Sequence, residues 1–107
     1  MKIKLTRKFI EDLEPALEDL YREAKAGLTN IEYLSLINKI EVAPRTYRGK
    51  SYFIEIELTE IEARLLAGEA KYRAEFNSRL YLDDDLPIDR AANRAAIKVL
   101  TQLKEII

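Results

Sequence analysis

The chain has no cysteine, which excludes disulfides, thiolate nucleophiles and cysteine-ligated metals, and with them a secreted disulfide scaffold. It has no histidine either, so the commonest general base and the commonest transition-metal ligand are missing. Any chemistry would rest on carboxylates, lysine, tyrosine or hydroxyls. With only 3 glycines there is no phosphate-cradling GxGxxG loop. No apolar run approaches the roughly 20 residues of a membrane-spanning helix. The N-terminal MKIKLTRKF is basic but lacks the continuous apolar segment of an export signal. A soluble cytoplasmic protein with no membrane partner is the expectation. Charge of one sign is also lacking: 18 basic and 19 acidic side chains leave a net charge of −1. That removes the long-range basic field on which non-specific nucleic-acid binding relies, and leaves only local basic patches.

What the chain does have is 107 residues, 48% of them apolar and 35% charged. This is the composition of an ordered globular protein with a heavily charged surface. A single domain, 1–107, is expected, able to bury roughly two-thirds of the surface its unfolded chain exposes.

Its most legible stretch is 40–67, IEVAPRTYRGKSYFIEIELTEIEARLLA, which reads as a β-hairpin running into a helix. With Arg48-Gly49-Lys50 as the loop, Val42 opposes Ile56, Ile40 opposes Leu58 and Pro44 opposes Ile54, placing the large aliphatics on one side. The other side then carries Glu41, Arg45, Tyr47, Phe53, Glu55 and Glu57. Pro44 cannot donate to a ladder, so its strand is expected at an edge or with a bulge.

Upstream, Ile3 and Leu5 alternate with Lys2 and Lys4 in a candidate short strand that ends at Thr6, a candidate N-cap. Phe9, Ile10, Leu13, Leu17, Leu20, Tyr21 and Ala24 recur at three and four, which predicts a helix over 7–26. Pro15 falls opposite that stripe and either bends one helix or begins a second. Gly27 supplies a left-handed stop, with Leu28 placed for the apolar contact of a Schellman ending. Thr29 and Glu32 have capping-box spacing and predict a short, unusually apolar helix over 30–38 that buries Ile31, Leu34 and Ile37.

Downstream, Thr59 and Glu62 form a second capping box. The helix it opens carries one line of Ile61, Leu65, Gly68, Tyr72 and Phe76 and another of Ala63, Ala67, Ala70 and Ala74. Gly68 either ends a short helix or lies inside a long one reaching Asn77, and the unbroken period favours the long helix. The alanine line needs a close neighbour. A last helix, capped by Asp85 with Pro87 in its first turn, offers Ala92, Ala95, Ala96, Val99, Leu100, Leu103 and Ile106. The apolar end at Ile106-Ile107 packs inward or against another subunit.

No catalytic residue, cofactor site or metal site is assigned. The densest carboxylate group, Asp83-Asp84-Asp85 with Asp89, fails as a calcium loop: Ile88 stands where the glycine is needed and Arg94 where the bidentate glutamate is needed. Acidic residues also suit a helix N-terminus without any metal. Glu41, Glu55 and Glu57 could form a carboxylate pair for acid–base work, but alternating glutamates are ordinary on a half-exposed strand. The order helix, Gly27, capped helix, then a hairpin bearing Arg45, Arg48 and Lys50 among Tyr47 and Tyr52 is that of a winged-helix unit with a basic wing over 44–52. ELTEIEARLL (57–66) also resembles the strand-to-helix LTxxExxLL opening of response-regulator winged-helix domains. Against DNA reading, the helix that would enter the groove, NIEYLSLIN, has no basic residue.

The expected architecture is therefore α+β, a hairpin or three-stranded antiparallel sheet packed against about four helices, with its third strand from 3–5 or from 79–82. The expected function is non-catalytic binding to a protein partner or to itself as a homo-oligomer. Arg45, Tyr47, Arg48, Lys50, Phe53 and Glu55 are the candidate binding residues, and a DNA-binding wing is the alternative.

Overall fold

A computed structural model describes residues 1–79 and 90–104, with side chains through 75 in the first stretch. The elements are β1 (Lys2–Thr6), α1 (Arg7–Lys25), α2 (Glu32–Val42), β2 (Thr46–Arg48), β3 (Ser51–Glu57), α3 (Glu60–Arg79) and α4 (Arg90–Leu103). The three strands form one antiparallel sheet in the order β1-β3-β2. The α+β class holds.

The sheet is assembled differently from the hairpin register read off the sequence. The aliphatic partners of Ile54 and Ile56 are Leu5 and Ile3 of β1, all four of them buried. Residues 40–42 are helical and extend α2 to Val42. Ile40 reaches the core from a helix, while Val42 points outward and is 69% exposed. The hairpin is short: Thr46 opposes Phe53, Tyr47 opposes Tyr52 and Arg48 opposes Ser51, around a two-residue Gly49-Lys50 turn. Gly49 sits at φ 61° in that turn, where a side chain is disfavoured. The one-residue change of register moves every side chain of β2 to the opposite face. Glu41 belongs to α2 and so does not join Glu55 and Glu57 on the sheet.

The edge strand β1 is closed from outside by α4. The Gln102 amide accepts from Lys4 N–H at 2.8 Å and donates to Lys4 C=O at 2.9 Å, standing in for the next strand of the ladder. Of the two sources expected for the third strand, 3–5 is the one observed. Arg79 is the last residue of α3, and 80–82 lie outside the described residues.

Helix α1 runs unbroken through Pro15, whose side faces solvent, and buries Phe9, Ile10, Leu13, Leu17 and Ala24. Tyr21, expected on that stripe, is exposed, with Lys25 Nζ 4.8 Å from its ring centre. The helix ends in a Schellman motif. Leu28 N–H bonds to Glu23 C=O at 2.8 Å and Gly27 N–H to Ala24 C=O at 3.2 Å, with Gly27 at φ 75°. The apolar contact expected of Leu28 is missing, as Leu28 is 78% exposed. At the start of α2 the cap is Asn30 rather than Thr29: Asn30 Oδ1 accepts Glu32 N–H at 2.9 Å. Thr6 occupies the N-cap of α1 without a side-chain bond.

Helix α3 is continuous across Gly68. Its Ala63, Ala67 and Ala70 are buried, as are Ala92, Ala95 and Ala96 of α4. The two helices pack more extensively than any other pair of elements, and Asn93 Nδ2 donates to Ala74 C=O at 2.8 Å. The alanine line thus has its close neighbour. Of the other line, Ile61, Gly68 and Tyr72 are exposed and Leu65 is half-buried, and the side chain of Phe76 lies outside the described residues. The cap expected at Asp85 and the chain end at Ile106-Ile107 lie outside the described residues.

Gly68 leaves open space where a Cβ would stand and has ordinary helical φ, whereas Gly27 is held at positive φ. Gly68→Ala is expected to raise stability by about 0.5–1 kcal/mol and Gly27→Ala to lower it by about 1–2 kcal/mol. Urea midpoints of the two variants at low protein concentration, moving in opposite directions, check this.

Candidate functional site

The corrected register divides the expected binding residues between two faces. Arg48, Phe53 and Glu55 lie on the outer face of the sheet with Lys4. The Lys4 ammonium sits 5.1 Å and the Arg48 guanidinium 5.5 Å from the Phe53 ring centre, and Lys4 Nζ is 3.7 Å from Glu55. Tyr47 is on the opposite face, edge-on to Tyr52 at 5.6 Å. Arg45, just before β2, stacks on the same Tyr52 ring at 5.1 Å, and Arg7 approaches it at 6.0 Å. Lys50 is in the turn, where its backbone carbonyl accepts from the Arg7 guanidinium. Arg7 also bonds Glu11 at 2.6 Å, which holds its guanidinium pKa above the usual value.

The result is a hairpin whose guanidinium groups lie over aromatic rings, as cation–π attraction favours. Lys4, Arg7 and Tyr52 complete it. They are not among the binding residues expected from the sequence, because Lys4 and Arg7 join the hairpin only once β1 pairs with β3. On the outer face Glu57 receives a 3.0 Å hydrogen bond from the amine of Met1, which lowers its pKa.

Among the described residues the most buried ionisable group is elsewhere. Glu62 of α3 is 1% exposed and completes the expected capping box: its Oε1 accepts Thr59 N–H at 2.9 Å, and Thr59 Oγ1 accepts Glu62 N–H at 3.2 Å. Two residues of α2 join it. Lys39 Nζ lies 2.6 Å from Oε1, and Ser35 Oγ donates to Oε2 at 2.8 Å. Lys39 also donates to Glu57 C=O at 2.8 Å. Burial alone would raise the carboxyl pKa, but the hydrogen bonds from Lys39, the Thr59 backbone, Ser35 and the Thr59 hydroxyl outweigh it and bring it to about 2. Farther along the same seam Tyr33 OH bonds Glu69 at 3.5 Å, and burial followed by the Glu69 charge raises its pKa. Nothing in the spacing of α2 reveals that Lys39 is the partner of Glu62.

With Lys39 turned inward, the outward side of α2 holds Ile31, Ser35, Asn38 and Val42, all exposed and all uncharged. Ile31, expected in the core, is instead 68% exposed, and Leu34, also expected there, is half-buried. The exposed line of α3, with Ile61 and Tyr72, belongs to the helix that packs against α2, and Tyr72 borders an open pocket with Ala16, Asp19, Leu20 and Glu23 of α1. On the far side of α2 an open cleft of about 650 Å³ separates it from α1. Ile10, Leu17, Ile37 and Ile40 floor the cleft, with Glu14, Glu18 and Glu41 at its rim. Among the described residues no carboxylate cluster could hold a metal ion; 83–85 and Asp89 lie outside them. Among the same residues no helix is long and apolar enough to cross a membrane.

Glu62 has its pKa depressed in the fold, so its contribution is present above the unfolded value of 4.5 and is lost as pH falls through about 2. Glu62→Gln should therefore be less stable than the parent by about 3 kcal/mol at about pH 5, and by less than about 1 kcal/mol near pH 2.5. Urea unfolding at the two pH values measures this difference.

Comparison of the chain with protein-family models, with curated proteins and with solved structures finds no match in any of the three.

Proposed function

We propose that the chain is a non-catalytic binding module whose partner is protein, itself included, engaged through the outward face of α2 and α3. One observation carries this reading. Four large apolar side chains, Ile31 immediately before α2, Val42 at its end, and Ile61 and Tyr72 on α3, are each more than half exposed, and the α2 residues between the first two, Ser35 and Asn38, are neutral. Exposed apolar side chains with neutral residues between them on α2, and with the charged Glu60, Arg64 and Lys71 beside them on α3, have the composition of a protein contact with a polar rim. Two adjacent helices about 10 Å apart, sharing a stretch about 16–20 Å long (the length of α2 and of 61–72 on α3), offer on the order of 400 Å² per partner. That is below the roughly 800 Å² of a standard interface, so self-association is expected to be weak, with Kd on the order of 10–100 μM.

Light scattering across that concentration range is expected to show mass rising above the monomer. Val42→Glu with Ile61→Glu should weaken association by about tenfold or more while the far-ultraviolet spectrum stays unchanged. A mass that stays monomeric at every concentration would overturn the self-association reading.

A second reading is favoured by one specific observation. α1, a turn, α2 and the β2–β3 hairpin follow in winged-helix order, with Arg45, Arg48 and Lys50 around an exposed Tyr47. In this reading the hairpin is a wing against duplex DNA. The uncharged outward side of α2 supports it poorly, since cations for the phosphates would come from the hairpin alone. If it holds, binding to duplex DNA should weaken steeply between about 50 and about 200 mM salt. Replacing Arg45, Arg48 and Lys50 by alanine should then flatten the log–log slope by about 0.9 for each phosphate left unneutralised. Salt-independent or absent binding in a fluorescence-anisotropy titration removes it.

A further inference from the structure

The face formed by α2 and α3 complements a second copy of itself. Passing down α2 from Lys39 and Ser35 to Tyr33, the partners on α3 move up from Glu62 to Glu69, so the helices run antiparallel side by side. Ser35 and Leu65 lie near the middle of this seam. A two-fold axis that lies in the plane of the face, crosses both helices at that middle and runs perpendicular to them brings two copies face to face. It lays α2 antiparallel on α2 of the second copy, and α3 antiparallel on α3.

Both helices rise about 1.5 Å per residue, so distances from the axis follow from the sequence. Ile61 lies about 6 Å from the axis and Gly68 about 4.5 Å from it on the other side. Rotation therefore sets Ile61 of one copy over Gly68 of the other, with Leu65 and Tyr72 flanking. Gly68 has open space above its Cα and provides the notch that an aliphatic side chain fills. On α2, Ile31 falls by the same reasoning between Asn38 and Val42 of the second copy. The exposed apolar side chains thus meet one another. At the rim, Glu60 and Lys71 stand about 7.5 Å and about 9 Å from the axis on opposite sides, so each Lys71 comes level with Glu60 of the other copy. Both are exposed. Lys71 has no ion-pair partner among the described residues, and Arg64 holds only Oε1 of Glu60, at 2.9 Å. The second carboxylate oxygen is left to the incoming ammonium. Arg64 lies about 1.5 Å from the axis and approaches its own symmetry mate, but its guanidinium is drawn along its own helix to Glu60 at 2.9 Å, away from the axis. Apolar on apolar and acid on base at the rim is what an isologous contact requires, because one surface must complement itself.

We infer that two copies of the chain pair through this face about a two-fold axis near Ser35 and Leu65, with Ile61 of each copy seated over Gly68 of the other and Lys71 against Glu60. The inference rests on reading the α2–α3 face as a protein contact, and it adds the occupant, the symmetry and the register. Because the contact is closed, association stops at the dimer.

Charge exchange at the rim tests the register separately from the face. By sedimentation equilibrium, Glu60→Lys alone and Lys71→Glu alone should each weaken the dimer on the order of tenfold, since each places two like-charge pairs across the axis. The two substitutions in one chain should restore the parent affinity. An equimolar mixture of the two single variants should form a heterodimer more tightly than either variant pairs with itself, because both rim pairs are then of opposite charge. That last comparison is insensitive to any change in monomer stability from losing the Arg64 pair. The parent mass should level at twice the monomer. Three results overturn the inference. The first is a parent chain that remains monomeric, which also removes self-association. The second is a dimer broken by Val42→Glu with Ile61→Glu but showing no charge preference between positions 60 and 71, which keeps the face and rejects the register. The third is mass that keeps rising past the dimer, which rejects the closed symmetry.

Discussion

The Glu62 carboxylate is the point at which the two halves of the chain are joined. It closes the turn between β3 and α3 through Thr59 and grips α2 through Lys39 and Ser35. Lys39 in turn holds the last carbonyl of β3. A carboxylate that is 1% exposed is costly to bury unless its oxygens are filled, and Lys39 is the partner that brings the opposite charge, while Thr59 and Ser35 supply neutral donors. The packing of α2 is therefore conditional on one ammonium group that reaches across from another element. The sheet depends on a similar long-range closure, because the amide of Gln102, far along the chain, terminates the β1 edge.

These closures decide what a local reading of the chain can and cannot reach. Helix α1, its left-handed stop at Gly27, the Thr59–Glu62 box and the passage of α3 through Gly68 are all legible, because each is written in residues a few positions apart. The 40–44 segment is not. IEVAP is a short apolar run, and such a run fits a strand or the last turn of a buried helix equally well. Ile54 and Ile56 do need aliphatic partners, as matching the faces of the sheet requires. The nearest apolar residues in sequence look like those partners, whereas β1 supplies them from the other end of the sheet, at Ile3 and Leu5.

The same displacement explains why the candidate site is only half legible. Arg45, Tyr47, Arg48, Lys50, Phe53 and Glu55 do gather at the hairpin, but the slip of one residue sends Arg45 and Tyr47 to the opposite face from Phe53 and Glu55. Rings and cations still meet, through different pairs: Arg45 on Tyr52, and Arg48 and Lys4 on Phe53. The greasy character of α2 is visible in its composition. Its direction is not, since period alone does not say that Lys39 turns inward and Ile31 outward.

Stability and surface character are coupled through that one lysine. Helix α2 has a single cation, and the buried carboxylate takes it. Were Lys39 free to face solvent, α2 would present a basic residue amid Ile31, Ser35, Asn38 and Val42, placed as a cation reaching for a phosphate would be. Held at 2.6 Å from Glu62, it instead leaves that side of the helix neutral and lines it up with the exposed apolar residues of α3. Desolvating a neutral face costs far less than desolvating a charged one. The ion pair that fixes α2 in the fold thus also keeps the single cation of α2 at the seam with α3, leaving Ile31, Ser35, Asn38 and Val42 with no charge among them.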